Sequence, residues 1–267
     1  KICYNIQVII LVIEAIFKGR EIGEMLEKLK RYKREYNREY VVRVLKHNII
    51  NLYLKPGQLV SENEIAEVLG VSRTPVREAF IELSRASLVE IYPQKGTCIS
   101  PIDMNVVEET RFMRCAVEKS IAKLCCDVLT DSDLAYLQEN IRQQETCIAS
   151  KDYRTLLALD DSFHEYMFRA CNKKMIYGIV KNAMAQFDRV RILNLAEMNM
   201  EVSVNEHKEI FQALKNRDKA KAENLMEDHL TRVIFDMSYL KEKHPEYFKV
   251  GSTRTSSDFA QVNNELF

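Results

Sequence analysis

Two helix starts separated by a very short turn constrain this chain more than any other feature. The first is Ser61-Glu62-Asn63-Glu64, where the Ser61 hydroxyl and the Glu64 carboxylate can each satisfy the other's free backbone N–H just ahead of Ile65. Gly70 closes that helix as a C-cap. The second start is Thr74-Pro75, a good N-cap followed by a residue pre-organised for the first helical position. Only Val71-Ser72-Arg73 separates the two, and Ala66, Leu69, Val71, Val76, Phe80 and Leu83 give them one apolar face. Two capped helices on so tight a turn predict a helix-turn-helix.

The flanking sequence completes a small domain. Leu26, Leu29, Tyr32, Tyr36, Tyr40, Val44, Ile49 and Leu52 recur at helical spacing, which predicts a basic, Tyr-rich helix over 26–54 that stops at Lys55-Pro56-Gly57. After Ser87, two β-prone runs (88–92 and 97–100) flank Pro93-Gln94-Lys95-Gly96 and read as a hairpin, hence a wing. From Pro101 onward no strand signal follows. Residues 104–127, 130–149, 151–171, 173–197, 200–215 and 217–245 all show amphipathic helical periodicity. Gly (7) and Pro (5) are scarce, as a helical protein requires. The expected fold is therefore mainly α: an N-terminal winged helix-turn-helix over 26–103 and a C-terminal all-α antiparallel helical bundle over 104–246. An N-terminal extension (1–25) and a flexible tail (247–267) bracket them.

Charge and cysteine usage agree with that division. Residues 26–100 carry 13 Lys/Arg against 9 Asp/Glu, while 101–246 carry 21 against 25, so a basic head joins an acidic body. The seven cysteines (Cys3, Cys98, Cys115, Cys125, Cys126, Cys147 and Cys171) lack paired CxxC spacing and read as small hydrophobes in a reducing cytoplasm. The apolar run Val8–Phe17 contains Glu14 and is too short to span a bilayer, so no membrane partner is expected.

Ser72, Arg73, Thr74 and Arg77 sit at the entrance of the second helix of the pair. A helix N-terminus offers unpaired N–H groups and a positive dipole end to phosphate, and the two hydroxyls add further donors. Arg73 and Arg77, four residues apart, can both project into a major groove, where arginine bonds guanine O6 and N7. An ordinary solvated helix start is the alternative for the arginine pair taken alone. The stretch Leu54-Lys55-Pro56-Gly57, Ser61-Glu62, Ile65-Ala66, Leu69 through Ala79, Leu83, Leu88-Val89 and Gly96 resembles the GntR family of bacterial regulators. That resemblance implies operator contacts from Arg73, Thr74 and Arg77, and a wing tip at Lys95-Gly96 that enters the minor groove. Asn63 departs from the arginine some relatives carry, so no contact is expected there; Arg85-Ala86-Ser87 departs only in a loop.

In the helical part, Asp160 and His164 are one turn apart on one face, with His207 and His229 on later helices. One carboxylate and three imidazoles suit Zn²⁺, Ni²⁺ or Mn²⁺ with coordination positions left open. Spacing alone does not show that the three helices converge, and isolated surface histidines fit it equally. Residues 104–245 resemble the FadR-like subfamily of the GntR family, with its metal-binding FCD-type C-terminal domain. That resemblance implies Asp160, His164, His207 and His229 as metal ligands and a small organic or sugar acid as effector. Arg114, within Arg114-Cys115-Ala116-Val117-Glu118, is the candidate partner for the acid, unless it pairs with Glu118; Arg189 and Arg191 are weaker candidates. The expected protein is a non-enzymatic, cytoplasmic DNA-binding transcription regulator, a homodimer on a pseudo-palindromic double-stranded operator, controlled by that effector. A metal-dependent hydrolase is the rival, but it lacks a convincing general base: Glu165 and Glu206 adjoin ligands in sequence and so point to different helix faces. A DNA-binding protein with a purely structural metal is the other.

Overall fold

The computed structural model of the chain describes residues 22–197, 200–232 and 237–251. The apolar run at 8–17 and the tail beyond Gly251 lie outside the described residues. Two compact units emerge: Lys1–Ile102 with Glu246–Lys249, and Asp103–Pro245 with Val250–Phe267.

In the first unit, α1 (Ile22–Met25) and α2 (Asn37–Ile50) precede β1 (Leu59–Val60), α3 (Glu62–Leu69), α4 (Arg73–Arg85), β2 (Val89–Tyr92) and β3 (Gly96–Ile99). The expected capping box is present: the Ser61 hydroxyl accepts from Glu64 N–H, and the Glu64 carboxylate accepts from Ser61 N–H at 3.0 Å. Gly70 caps α3 in the left-handed region (φ 64, ψ 39), where a Cβ is penalised. The strands form an antiparallel sheet in the order β1-β3-β2, with Val89 opposite Ile99 and Tyr92 opposite Gly96. Val44, Leu45, Ile49, Ile65, Val76, Phe80, Leu83, Leu88 and Ile99 fill the core between helices and sheet.

The structure corrects the long helix expected over 26–54, because α2 spans only 37–50. Residues 26–36 are held against α2 as an arm. Buried Asn48 donates to Glu27 C=O at 2.9 Å and accepts from Glu27 N–H at 2.7 Å. Arg43 forks onto Glu35 and lies 4.0 Å over the Tyr32 ring. The helically spaced tyrosines are thus partly cation–π partners rather than one helix face. Residues 246–249, expected at the end of the bundle and in the tail, also join the first unit: Ile102 N–H donates to Tyr247 C=O at 2.8 Å.

The second unit comprises α5 (Met104–Val128), α6 (Asp131–Ser150), α7 (Tyr153–Ala170), α8 (Lys174–Ala183), α9 (Ala185–Glu197), α10 (Met200–Lys215), α11 (Lys219–Arg232) and α12 (Met237–Lys243). Thr130 and Asp133 cap α6 reciprocally, and Asp152 caps α7. The helix expected over 173–197 is divided at Met184 into α8 and α9. Ile121, Cys125, Phe163, Met167, Phe168, Ile210, Leu214, Met226 and Leu230 bring α5, α7, α10 and α11 around one apolar core. Among the described residues no helix is long and apolar enough to cross a membrane.

Replacing Gly70 by Ala is expected to cost about 1–2 kcal/mol, because its φ of 64 puts any Cβ against the following carbonyl. Asn, which tolerates that region, should recover most of the loss; equal melting temperatures for Gly70→Ala and Gly70→Asn would contradict this account.

Candidate functional site

The exposed end of the helix-turn-helix is built as its sequence suggests, with one shift. Ser72 rather than Thr74 is the N-cap, so Arg73 opens α4 and Pro75 falls within its first turn. Pro75 and Val76 turn into the core, which leaves Ser72, Arg73, Thr74 and Arg77 exposed together. The Ser72 side chain makes no capping hydrogen bond of its own. Both arginines reach back to one carboxylate on α3. Arg77 Nε and Nη2 each lie 2.9 Å from the Glu62 carboxylate oxygens, and Arg73 Nη2 lies at 3.2 Å. These bonds, Arg77 first, hold the Glu62 carboxyl below its usual range against a smaller opposing effect of burial. Lys95 is exposed in the turn between β2 and β3, and Gly96, at φ 110, has a backbone that favours glycine.

In the helical unit the four candidate ligands do converge. Asp160 and His164 come from successive turns of α7, His207 from α10 and His229 from α11; all are buried, and one ligand atom from each lies within 4.8 Å of the others. His229 Nε2 is 3.3 Å from both His207 Nε2 and His164 Nε2. Asp160 places Oδ1 3.6 Å from His207 Nε2 and Oδ2 3.7 Å from His164 Nε2.

The far nitrogen of each ring fixes what those Nε2 atoms are. His207 Nδ1 lies 2.7 Å from Gln144 Oε1, and His229 Nδ1 lies 2.9 Å from Glu206 Oε2. His164 Nδ1 lies 2.5 Å from Glu118 Oε2, close but bent away from a straight hydrogen bond. The Gln144 amide is oriented by its own donation to Asn140 at 2.7 Å, which leaves Oε1 toward His207. Each Nδ1 faces an acceptor and so carries the ring proton, which leaves each Nε2 a bare lone pair. Burial, ahead of all other influences, pushes the His164 and His207 pKa values down, so these rings are neutral.

Three lone pairs pointed at one another without a proton between them repel; a cation among them removes the conflict. Two imidazole nitrogens bound to one ion at about 2.0–2.1 Å lie about 2.9–3.4 Å apart for octahedral to tetrahedral angles. The observed 3.3 Å separations fit that range, and so does the donor set. Asp160 is ready as an anion: burial opposes its ionisation, but neighbouring positive charge, Arg191 first, outweighs it and holds the carboxyl far below the usual range.

Gln144 was missed in the sequence, and Glu118, Glu206 and Arg191 were named there without the roles the structure gives them. Gln144, Glu118 and Glu206 orient the three rings, and Arg191 pairs with Asp160 while also reaching Asp161 at 2.8 Å and Asp188 at 2.9 Å. Glu206 is no candidate base, because it serves His229 on the neighbouring helix. Arg114 is buried and its Nε donates to Glu118 Oε1 at 2.5 Å, the pairing the sequence left open. It therefore touches the cluster through Glu118 rather than directly. Arg189 is fully buried, donates to Gln186 Oε1 at 3.1 Å, and has its pKa lowered by burial to about 9.

The chain matches two family models: "Bacterial regulatory proteins, gntR family" over residues 37–99 and "FCD domain" over residues 109–232. It is 30% identical over 211 residues to the HTH-type transcriptional repressor RspR of Escherichia coli K12, covering 79% of this chain and 92% of that protein. It is 24% identical over 225 residues to the galactonate operon transcriptional repressor of the same organism, covering 76% and 95%. The E. coli McbR/YncC structure shares the fold at a TM-score of 0.66 and 20% identity, covering 79% of this chain and 99% of that one.

A metal ion held on these four side chains depends on the carboxylate that aligns His229. Glu206→Ala is expected to lower Ni²⁺ or Zn²⁺ affinity about 10–100-fold by isothermal titration. Glu209→Ala, on an exposed position of the same helix, should leave it unchanged; equal affinities for the two variants would contradict the role given to Glu206.

Proposed function

The chain belongs to the GntR family of transcriptional regulators and carries an FCD domain, and we propose that its operator binding answers to a small carboxylate bound beside a divalent metal ion on Asp160, His164, His207 and His229. Its relatives are DNA-binding regulators, not enzymes. The observation that carries the reading is the convergence of three Nε2 atoms, that of His229 lying 3.3 Å from each of the other two, with every Nδ1 facing its own acceptor.

The charges around the cluster support the ligand class. Glu118, Asp160, Asp161, Asp188 and Glu206 supply five negative charges, and Arg114, Lys181, Arg191 and Arg232 supply four positive ones, all within connected ion pairs. A divalent cation added to these paired charges would bring positive charge into a buried setting where net charge is costly, and a carboxylate would offset part of it. Zn²⁺, Ni²⁺ or Mn²⁺ here would supply a Lewis-acidic centre with open positions for a carboxylate oxygen. Arg114, with Nε already on Glu118, would offer its remaining guanidinium edge to the acid; buried Arg189 is the second candidate anchor. A small organic or sugar acid suits this arrangement, and one relative is named for a galactonate operon.

In the first unit, the N-terminus of α4 enters the major groove in this reading. Arg73 and Arg77 leave Glu62 for base edges, and Ser72 and Thr74 bond phosphates. Lys95 and Gly96 carry the wing into the minor groove. Two copies of the chain, as a homodimer, meet a pseudo-palindromic operator. The acid controls DNA binding to the extent that it binds the DNA-competent and incompetent states unequally.

Fluorescence anisotropy with an operator duplex tests both ends. Arg77→Ala is expected to cost about 1–3 kcal/mol at the cognate site; unchanged affinity removes its assigned role. A panel of organic and sugar acids should shift operator affinity for the metal-loaded protein and not for His207→Ala. If chelation lowers the melting temperature while no acid alters DNA binding, the metal is structural and the effector reading fails.

A further inference from the structure

The seam between α5 and α7 carries two close side-chain pairs in the same register. Glu118 Oε2 meets His164 Nδ1 at 2.5 Å, and seven residues further along both segments Cys125 Sγ meets Cys171 Sγ at 3.4 Å. Seven residues advance a helix by about 10.5 Å, so the two helices run in the same direction here and the thiols lie two turns beyond the metal cluster's edge.

We propose that Cys125 and Cys171 are a redox-active dithiol, which a hydroperoxide converts to a disulfide that ties α5 to the end of α7. The sulfurs are already in contact, and reaching the roughly 2.05 Å of a disulfide requires them to close by only about 1.4 Å. Among the described residues no other two thiols are in hydrogen-bonding contact. Cys126, next in sequence, has Asp127, Arg217, Asp218 and Lys219 as its charged neighbours, a different surrounding. Cys171 is the residue that caps α7, immediately before the Asn172-Lys173 turn, so opening that short turn admits a small oxidant. Cys125 lies deeper, fully buried among Ile121, Met167 and Phe168.

Cys171 is the attacking sulfur. It closes α7 beside Lys173, whose positive charge favours a thiolate there, whereas Cys125 is fully buried and burial raises its thiol pKa. The Cys171 thiolate displaces alkoxide or hydroxide from the hydroperoxide, taking up its terminal oxygen as a sulfenic acid; the leaving oxygen picks up the thiol's proton. Cys125 sulfur then attacks Cys171 sulfur, loses its own proton, and releases the hydroxyl as water. Two thiols give up two electrons, and the O–O bond receives them. The cross-link clamps the same two helices that present Glu118, Asp160 and His164. Its effect on ligand binding there rests on the metal-site reading above.

The test uses the reduced, metal-free full chain, so it depends on neither metal nor operator. After stoichiometric hydrogen peroxide, denaturing alkylation and digestion, mass spectrometry should find a dithiothreitol-reversible peptide pair joining Cys125 to Cys171. Hydrogen exchange of the oxidised protein should slow in the segments holding Glu118 and His164. Cys171→Ser and Cys125→Ala, each checked for native helicity by circular dichroism, should show neither effect. Free thiols at both positions, a bridge involving Cys126 or another cysteine, or over-oxidation of Cys171 without a bridge overturns the proposal. A correct bridge with unchanged exchange around Glu118 and His164 overturns the coupling between the two pairs.

Discussion

Three imidazole nitrogens turned toward one another in a dry interior set the terms for the whole helical unit. Burying polar atoms without partners costs several kcal/mol each, and bare lone pairs in contact add repulsion to that cost. The bundle meets the first part of the problem with protein groups. Gln144 from α6, Glu206 from α10 and Glu118 from α5 each hold the outer nitrogen of a ring that belongs to another helix. Phe163 stacks against His207 at 4.5 Å and keeps water from one side of it. The second part, the inward-facing nitrogens, is where the proposed cation would sit, and the apolar core of α5, α7, α10 and α11 packs behind it.

The DNA-facing end follows different physics. Arg73 and Arg77 are each 60% exposed at the side chain, and exposed ion pairs contribute little, about 0–1 kcal/mol. Their bonds to Glu62 therefore orient the arginines without holding them strongly. In the proposed complex, phosphates and guanine edges would compete for such a pair, whose fork geometry is set before encounter. Rigidity is instead supplied from below, by buried Pro75, Val76, Ala79 and Phe80 and by the capping box on α3.

Local signals were legible in the sequence, and convergent ones were not. Ser61-Glu64, Gly70 and the turn at Pro93–Gly96 announced themselves because caps and turns involve residues a few positions apart. Asp160 and His164 could be placed on one face by their four-residue spacing. Nothing in the spacing could show that His207 and His229 meet them, since that depends on how three helices pack. Glu206 shows the limit most sharply: it points away from the face of His207, its sequence neighbour, yet reaches His229 across the helix interface. Tyr32 and Tyr40 misled in the other direction, because ring stacking on Arg43 and Arg31 places tyrosines at helical spacing without requiring one helix.

Glu118 draws these separate features together, because its two oxygens serve different partners. Oε1 accepts from Arg114 and Oε2 faces His164, while burial, which opposes ionisation, is outweighed by those two neighbours and the carboxyl titrates at about 2. An acid that drew Arg114 toward itself would weaken the hold on Oε1 and leave Glu118 more fully committed to His164. Stronger acceptance at Nδ1 makes the opposite nitrogen a better donor to a metal. The Arg114–Glu118–His164 chain thus links a candidate acid-binding cation to a candidate metal ligand by direct contact. Cys125 and Cys171 sit two turns along the same pair of segments, so a change that shifts α7 along α5 acts on this chain and carries Asp160 with it.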